Sequence, residues 1–312
     1  MSILNRKNIL LGISGGIAAY KSAFLVRLLV KNGANVQVIM TPNAKDFVTP
    51  LTLSTLSKRT VLSDFFNKEN QNELWNNHVE LALWADYIVI APATANTLSK
   101  MASASADNLL IATYLSAKCP VYFAPAMDLD MHRNKANKLN INKLINFGNI
   151  HIPVNSGFLA SGLEGEGRMQ EPNQIMEFIS TNILKEMKLF GKKILITAGP
   201  TYEPIDAVRF IGNFSSGKMG FALAETAAKL GAEVFLVTGP TNLTIDSERI
   251  KSFYITSADE MFKITNELFL NMDMAILSAA VSDYKPKKMV QNKIKKENND
   301  NLVIDLVSNI DI

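Results

Sequence analysis

Cysteine is almost missing from this chain: among 312 residues only Cys119 carries a thiol. That excludes an internal disulfide and a cysteine-rich metal site, and makes a reducing compartment, the cytoplasm, the expectation. Histidine is nearly as scarce, with three in the whole sequence. An excess of one charge is lacking too, since 32 basic residues face 29 acidic ones for a net +3. Such a balance gives no field for capturing nucleic acid or an anionic membrane, so an anionic ligand must be held by local geometry. The opening "MSILNRKNILLGISGG" has only a short apolar run that passes into glycines, which reads as a first strand and not as a signal peptide or membrane span. Two phosphate-binding orders are also missing, the GxGxxG of dinucleotide folds and the GxxxxGK[ST] of the P-loop.

What is present is an alternation. Short β-branched runs at 8–14, 35–41, 87–93, 120–126, 193–199, 232–239 and 273–280 are separated by helical patterns. Continuous apolar strands between helices predict parallel sheets covered on both faces, an α/β doubly wound class. The length predicts two domains of roughly 100–200 residues each. A weak internal echo, "KNGANVQVIMT" at 31–41 against "KLGAEVFLVTG" at 229–239, predicts two Rossmann-like units, residues 1–188 and 189–312, with a linker near 186–191. The glycine-rich, aperiodic segment from Asn155 to Pro172 reads as a lid or a loose connection. The last strand, near "NLVIDLVSNIDI", lacks a following helix, so the second unit reads as unfinished.

Four segments carry chemistry. "GISGGIAAYK" (12–21) places Gly12, Ser14, Gly15 and Gly16 between a strand and a helix, where freed backbone amides and the helix dipole favour a phosphate, although the glycines also serve tight packing. "APATANT" (91–97) lies at a strand's carboxyl end, where open sheets bind ligands; Thr94, Asn96 and Thr97 offer polar groups to a planar heterocycle or ribityl chain, and the run also predicts the cap of a helix over 94–117. His78 stands at a helix start near that strand end, a structural residue or a general base. In the second half Asn213, Ser215, Ser216, Gly217 and Lys218 precede a helix and suit a triphosphate or phosphate ester, while Asp283 leads a lysine cluster within 278–297.

Taken together, "SGGIAAYK", "NHVELALWAD", "APATANT", "ADNLL", "APAMDLDM" and "GEGRM", followed by "TAGPTYEPIDAVRFIGNFSSGKMG", "AAVSDY" and "KIKK", resemble the bacterial bifunctional family that joins phosphopantothenoylcysteine decarboxylase to phosphopantothenate–cysteine ligase. The resemblance implies a flavodoxin-like, homo-oligomeric FMN-binding cysteine decarboxylase fold in the first half. It puts the FMN phosphate near Ser14 and Gly15 and the flavin and ribityl groups against Thr41, Thr94, Ala95 and Asn96. It makes His78 catalytic and assigns Asp128, Met131, Arg168 and Met169 to the substrate, 4′-phosphopantothenoylcysteine. In such chemistry hydride transfer to the flavin converts the thiol to a thioaldehyde that accepts the electrons of the departing carboxylate, and the hydride then returns. Two positions depart from the family: Asp128 stands where asparagine meets the substrate carboxylate, and Ser161 stands where a lid cysteine donates a proton.

For the second half the resemblance implies acyl-cytidylate formation from 4′-phosphopantothenate and CTP, with magnesium, followed by attack of L-cysteine. Asn213 then handles the acyl-cytidylate, Ala279, Ala280 and Asp283 meet cytosine and ribose, and Lys293 meets the triphosphate. Where the family carries Asn-Pro-Asp-Ile, this chain has "SNIDI" with Ile310 in place of proline. The family also implies a trimer-based assembly that completes the flavin site between chains and pairs through the ligase halves. Two related readings share the fold: decarboxylation of a peptide's C-terminal cysteine, and regulatory subunits that bind phosphatases.

Overall fold

Strand β1 (Asn8–Ile13), helix α1 (Lys21–Lys31), β2 (Asn35–Met40) and α2 (Pro50–Ser57) open the chain in a computed structural model that describes residues 2–66, 75–295 and 302–312. Five of the six β1 residues are buried because both faces of the sheet are covered, which is why the run is apolar throughout instead of alternating. On α1 the inward stripe Ser22, Leu25, Val26 and Leu29 follows helical spacing, leaving Phe24 exposed. Next come α3 (His78–Trp84), β3 (Tyr87–Ala93), α4 (Ala95–Ser103), α5 (Leu109–Leu115), β4 (Val121–Pro125), α6 (Leu129–Arg133), α7 (Lys135–Asn146) and β5 (Ile150–His151).

These strands form one parallel sheet in the order β2-β1-β3-β4-β5. That is the flavodoxin-like order, whose connections reverse between β1 and β3 and open a crevice at their carboxyl ends.

The helix expected over 94–117 is two helices. Ala104 takes a left-handed conformation (φ 57°) and its N–H closes α4, while the Asn108 side chain accepts from Ile111 N–H and starts α5.

The segment 155–168, read from sequence as an aperiodic lid, is a β-hairpin of β6 (Asn155–Phe158) and β7 (Glu164–Arg168). Its glycines are positional. Gly167 (φ +135°) lies so close to the Met127 carbonyl that a Cβ there would collide with it, and a Cβ on Gly165 would sit 2.7 Å from the Leu129 side chain. The hairpin is thereby held against the segment that follows β4, and Met127 N–H donates to Gly167 O at 3.0 Å.

Helix α8 (Pro172–Lys185) ends in turns at 186–191, and the chain divides into compact units at residues 2–182 and 183–312.

In the second unit β8 (Lys193–Ala198), the short ribbon β9 (Tyr202–Pro204) and β10 (Phe210–Gly212), α9 (Lys218–Lys229), β11 (Glu233–Thr238), β12 (Ile250–Tyr254), α10 (Ala258–Phe269) and β13 (Met274–Leu277) follow in turn. Their main sheet is parallel, in the order β12-β11-β8-β13. Alternate residues of β8 enter opposite cores: Ile194, Ile196 and Ala198 pack with Phe221 and Ala224 of α9, whereas Leu195 packs with Met261 of α10. The two helices therefore cover opposite faces. Among the described residues no helix is long and apolar enough to cross a membrane.

Candidate functional site

At the carboxyl ends of β1 and β3, a cavity of about 470 Å³ is lined by Gly15, Thr41, Asn43, Thr94, Asn96 and Thr97, with Lys100, Asp107, Asn108, Met127 and Met131 around it. That volume is in the range of small-molecule and cofactor sites.

The glycine loop makes the cavity possible. A Cβ on Gly15 would lie 2.9 Å from the backbone carbon of Asn43, and one on Gly16 would lie 3.1 Å from the Thr94 methyl. Thr41 is fixed by its N–H, which donates to Ile13 O at 2.9 Å.

Ser14 has a different place from the one read in sequence. It is 1% exposed, its Oγ donates to Pro92 O at 2.7 Å, and it accepts Thr94 N–H at 3.0 Å. The hydroxyl therefore ties the two strand ends together instead of facing the cavity. Thr94 caps α4, whose first residue is Ala95.

Residues not singled out as ligands in the sequence complete the wall. Lys100 pairs with Asp107, whose carboxyl is held below the ordinary carboxylate range chiefly by that hydrogen bond. Asn108, the α5 cap, stands beside it. The only sequence signal for this corner was its place in "ADNLL".

His78 does not line the cavity of its own chain. Its ring meets Phe65 and Trp75 edge-on, with centroids 6.2 and 6.0 Å away, and among the described residues its buried Nδ1 has no hydrogen-bond partner. His78 is the first residue of α3, the helix that precedes β3 in the chain.

The hairpin carries the remaining first-unit residues. Ser161, exposed at its tip, donates to Asp128 Oδ1 at 2.9 Å, so the two positions that depart from the resembled family meet each other. Arg168 Nη2 donates to Glu171 Oε1 at 2.8 Å, and the same oxygen takes the buried Lys21 Nζ at 2.9 Å. Lys21 also donates to Met169 O at 3.0 Å, and the Lys21 hydrogen bond is the main reason the Glu171 carboxyl lies below its ordinary value. The Met169 side chain is 1% exposed and belongs to the core, whereas Met131 faces the cavity.

In the second unit the loops after β8 and β13 lie side by side, with Ala280 N–H on Gly199 O at 2.8 Å and Ala279 N–H on Thr197 Oγ1 at 3.2 Å. Asn213 Nδ2 donates to Val281 O at 2.8 Å. Gly217 (φ +72°) caps α9 just before Lys218; its N–H reaches Ser215 Oγ, and Ser216 O accepts Thr241 Oγ1. Asp283 O accepts Asn309 N–H at 2.7 Å. Lys293 is exposed, and its neighbour Ile294 is clamped by Asp206 Oδ2 and Arg209 Nη2. The rest of "KIKK", Lys296, lies outside the described residues.

Comparison with known proteins follows the same division. Residues 2–184 match the family described as Flavoprotein, and residues 189–312 match the DNA/pantothenate metabolism flavoprotein C-terminal domain. Over 269 residues the chain is 50% identical to a cysteine/cysteine sulfinic acid decarboxylase from an unknown prokaryotic organism, covering 85% of this chain and 74% of that one. Over 312 residues it is 42% identical to the coenzyme A biosynthesis bifunctional protein CoaBC of Bacillus subtilis (strain 168), covering 99% and 76%. A solved PPC decarboxylase mutant complexed with pantothenoylaminoethenethiol aligns with TM-score 0.52 at 31% identity over 57% of this chain and 99% of its own. The FMN binding protein AtHal3 aligns with TM-score 0.51 at 30% identity over 58% and 99%. The chain belongs to the flavoprotein family and, along its length, to the family of coenzyme A biosynthesis bifunctional proteins.

Proposed function

We infer that the first unit is an FMN-dependent carboxy-lyase of coenzyme A biosynthesis, releasing carbon dioxide from 4′-phosphopantothenoylcysteine to leave 4′-phosphopantetheine. The observation that carries this reading is the cavity at the β1/β3 crevice, in whose wall Gly15 packs so close to Asn43 that no Cβ would fit. Its donor set fits FMN: backbone amides at Gly15 for phosphate, and the Thr41, Thr94 and Asn96 side chains for hydroxyls and ring edges. Bound there, the flavin supplies a reversible hydride acceptor and so an electron sink for the departing carboxylate.

The chain's own residues do the rest. Ser14 holds the two strand ends in register, the β6–β7 hairpin is tied by Gly167 O to the backbone of cavity-lining Met127, and Arg168 offers a guanidinium to an anionic group of the substrate. Cysteine is one of the two compounds named for the decarboxylase relative, and it carries the reactive unit of the proposed substrate, a thiol on the carbon next to the one bearing the carboxylate.

The test is the absorption spectrum of the purified chain with added FMN, followed by carbon dioxide release from 4′-phosphopantothenoylcysteine. A flavin spectrum with stoichiometric release is expected; a colourless protein that refuses FMN overturns the reading.

We further propose for the second unit the CTP-dependent ligation of 4′-phosphopantothenate with L-cysteine. The nucleotide and its magnesium would be met by Ser215, Ser216, Gly217, Lys218, Asp283 and Lys293. Support comes from the glycine cap of α9 and the paired loops at Gly199 and Ala280. Pyrophosphate release from CTP in the presence of both substrates checks it. A homo-oligomer completes the proposal, because His78 does not line the cavity of its own chain.

A further inference from the structure

Lys21, the first residue of α1, is only 4% exposed. A lysine so placed keeps its charge only if partners replace the water it gives up. Both partners come from far along the chain: Nζ donates to Met169 O at 3.0 Å and to Glu171 Oε1 at 2.9 Å, 148 and 150 positions away. Methionine would fill the same volume without that demand, so what the charge adds is an attachment.

The attachment matters for what lies at either end. Back from Lys21, one turn of 3-10 helix, Ile17–Tyr20, leads without a break to its cap Gly16 and to Gly15 in the cavity wall. Back from Met169, Gly167 O accepts the N–H of Met127, another residue of that wall. Gly15 follows β1 and Met127 follows β4, and β3 stands between those strands in the sheet. Residues 167–171 are thus a brace between two sides of the cavity that no strand pairing joins directly. Lys21 itself lies outside the wall.

A ligand that fills the cavity meets both sides and spans the same gap. Whichever forms first, brace or bound ligand, removes conformational freedom that the other would have to remove. Each must therefore favour the other, and by linkage to the same degree.

We propose that Lys21 is a positioning residue for cofactor binding: it fastens the brace at 167–171 to the glycine-loop side of the cavity, so that FMN and the brace form cooperatively. The inference rests on the reading of the first unit as an FMN site.

The test uses Lys21→Met in the full chain. Methionine keeps the volume and suits a helix, and Glu171 keeps its pair with Arg168, so the variant should fold. Two quantities are read: FMN affinity, from the quenching of flavin fluorescence, and the rate of trypsin cutting at Arg168 with and without saturating FMN. Cutting at Lys188, in the turns after α8, is the internal reference. Expected in wild type is about tenfold slower cutting at Arg168 once FMN is bound, a coupling of ordinary size. Lys21→Met should bind FMN about tenfold more weakly and, when saturated, should gain less than about twofold protection. The protection is a ratio within one protein, so a general loss of stability raises both rates and leaves it unmoved. Glu171→Gln, which exchanges a charged acceptor for a neutral one and keeps the Met169 bond, should fall between wild type and Lys21→Met in both readings.

No protection by FMN in wild type, unchanged FMN affinity in Lys21→Met, or equal protection in the two proteins each overturns the inference. Should Lys21→Met fail to fold, Glu171→Gln decides: weaker FMN binding with reduced protection supports the brace, and wild-type values overturn it. FMN binding that ignores Lys21 removes this inference and leaves the flavin site standing, whereas a wild-type chain that binds no FMN removes both.

Discussion

The Ser14 hydroxyl bridges two backbone groups, Thr94 N–H and Pro92 O, the second of which the Ser14 N–H also reaches at 3.3 Å. Ser14→Ala leaves Thr94 N–H without its partner at a site 1% exposed, so urea unfolding of the flavin-free chain should show a loss of about 1–3 kcal/mol. Its FMN affinity should fall as well, since Thr94 lines the cavity. The role was not legible in the sequence, where a serine in a glycine loop reads as a phosphate ligand; which way a hydroxyl points depends on a strand some 80 residues away. Glu171 works through charge. Its carboxyl lies below its ordinary value chiefly because of Lys21, so its folded pKa is depressed relative to the unfolded chain. Such a group gives stability that is complete above the unfolded carboxylate value and is lost as pH falls through the folded one. Lowering the pH from 6 towards and below 4 should therefore weaken wild type more than Glu171→Gln, read as the shift in urea midpoint of each. Parallel shifts in the two proteins would show that the Lys21–Glu171–Arg168 cluster does not set the pH response.

At the scale of elements the parallel strands were readable because burial on both faces writes an uninterrupted apolar run, as in β1 and β3. Two elements escaped for opposite reasons. The break between α4 and α5 is written in one left-handed residue, and Ala104 is a poor signal for it because alanine ordinarily favours helix. Replacing it should help: Ala104→Gly relieves the left-handed strain at the end of α4 and should raise stability by about 0.5–1 kcal/mol after the glycine's greater unfolded-state entropy is counted, measured by chemical denaturation. The hairpin β6–β7 escaped because its order depends on what it lies against. "EGEGR" has no strand-like apolar face, but its glycines admit the Met127 carbonyl and the Leu129 side chain. Gly167→Ala should undo that docking, in conflict with both the carbonyl and the φ of +135°. Trypsin should then cut at Arg168 faster than in wild type while cutting elsewhere is unchanged.

For the whole molecule the question is where the imidazole of His78 acts. The residue was chosen in the sequence for its type and its place at a helix start, and it is the first residue of α3. What no single chain supplies is contact with its own cavity, since the ring packs against Phe65 and Trp75 instead. Exposed apolar side chains on the first unit, Ile17 at 63%, Phe24 at 61% and Leu51 at 76%, are the kind of surface that a second copy covers. If the proposed oligomer brings His78 of one copy to the cavity of another, then two defective chains should repair each other. A His78→Asn chain retains an intact cavity, and a Gly15→Leu chain, its cavity wall disrupted because no Cβ fits against Asn43, retains an intact imidazole. Each alone should release almost no carbon dioxide from the thiol substrate. Unfolded together and refolded as a mixture, they should recover activity well above either parent, with light scattering reporting a mass above that of one chain. A mixture no more active than its parents, formed from chains that do assemble, would place the imidazole's action within one chain or outside the reaction altogether.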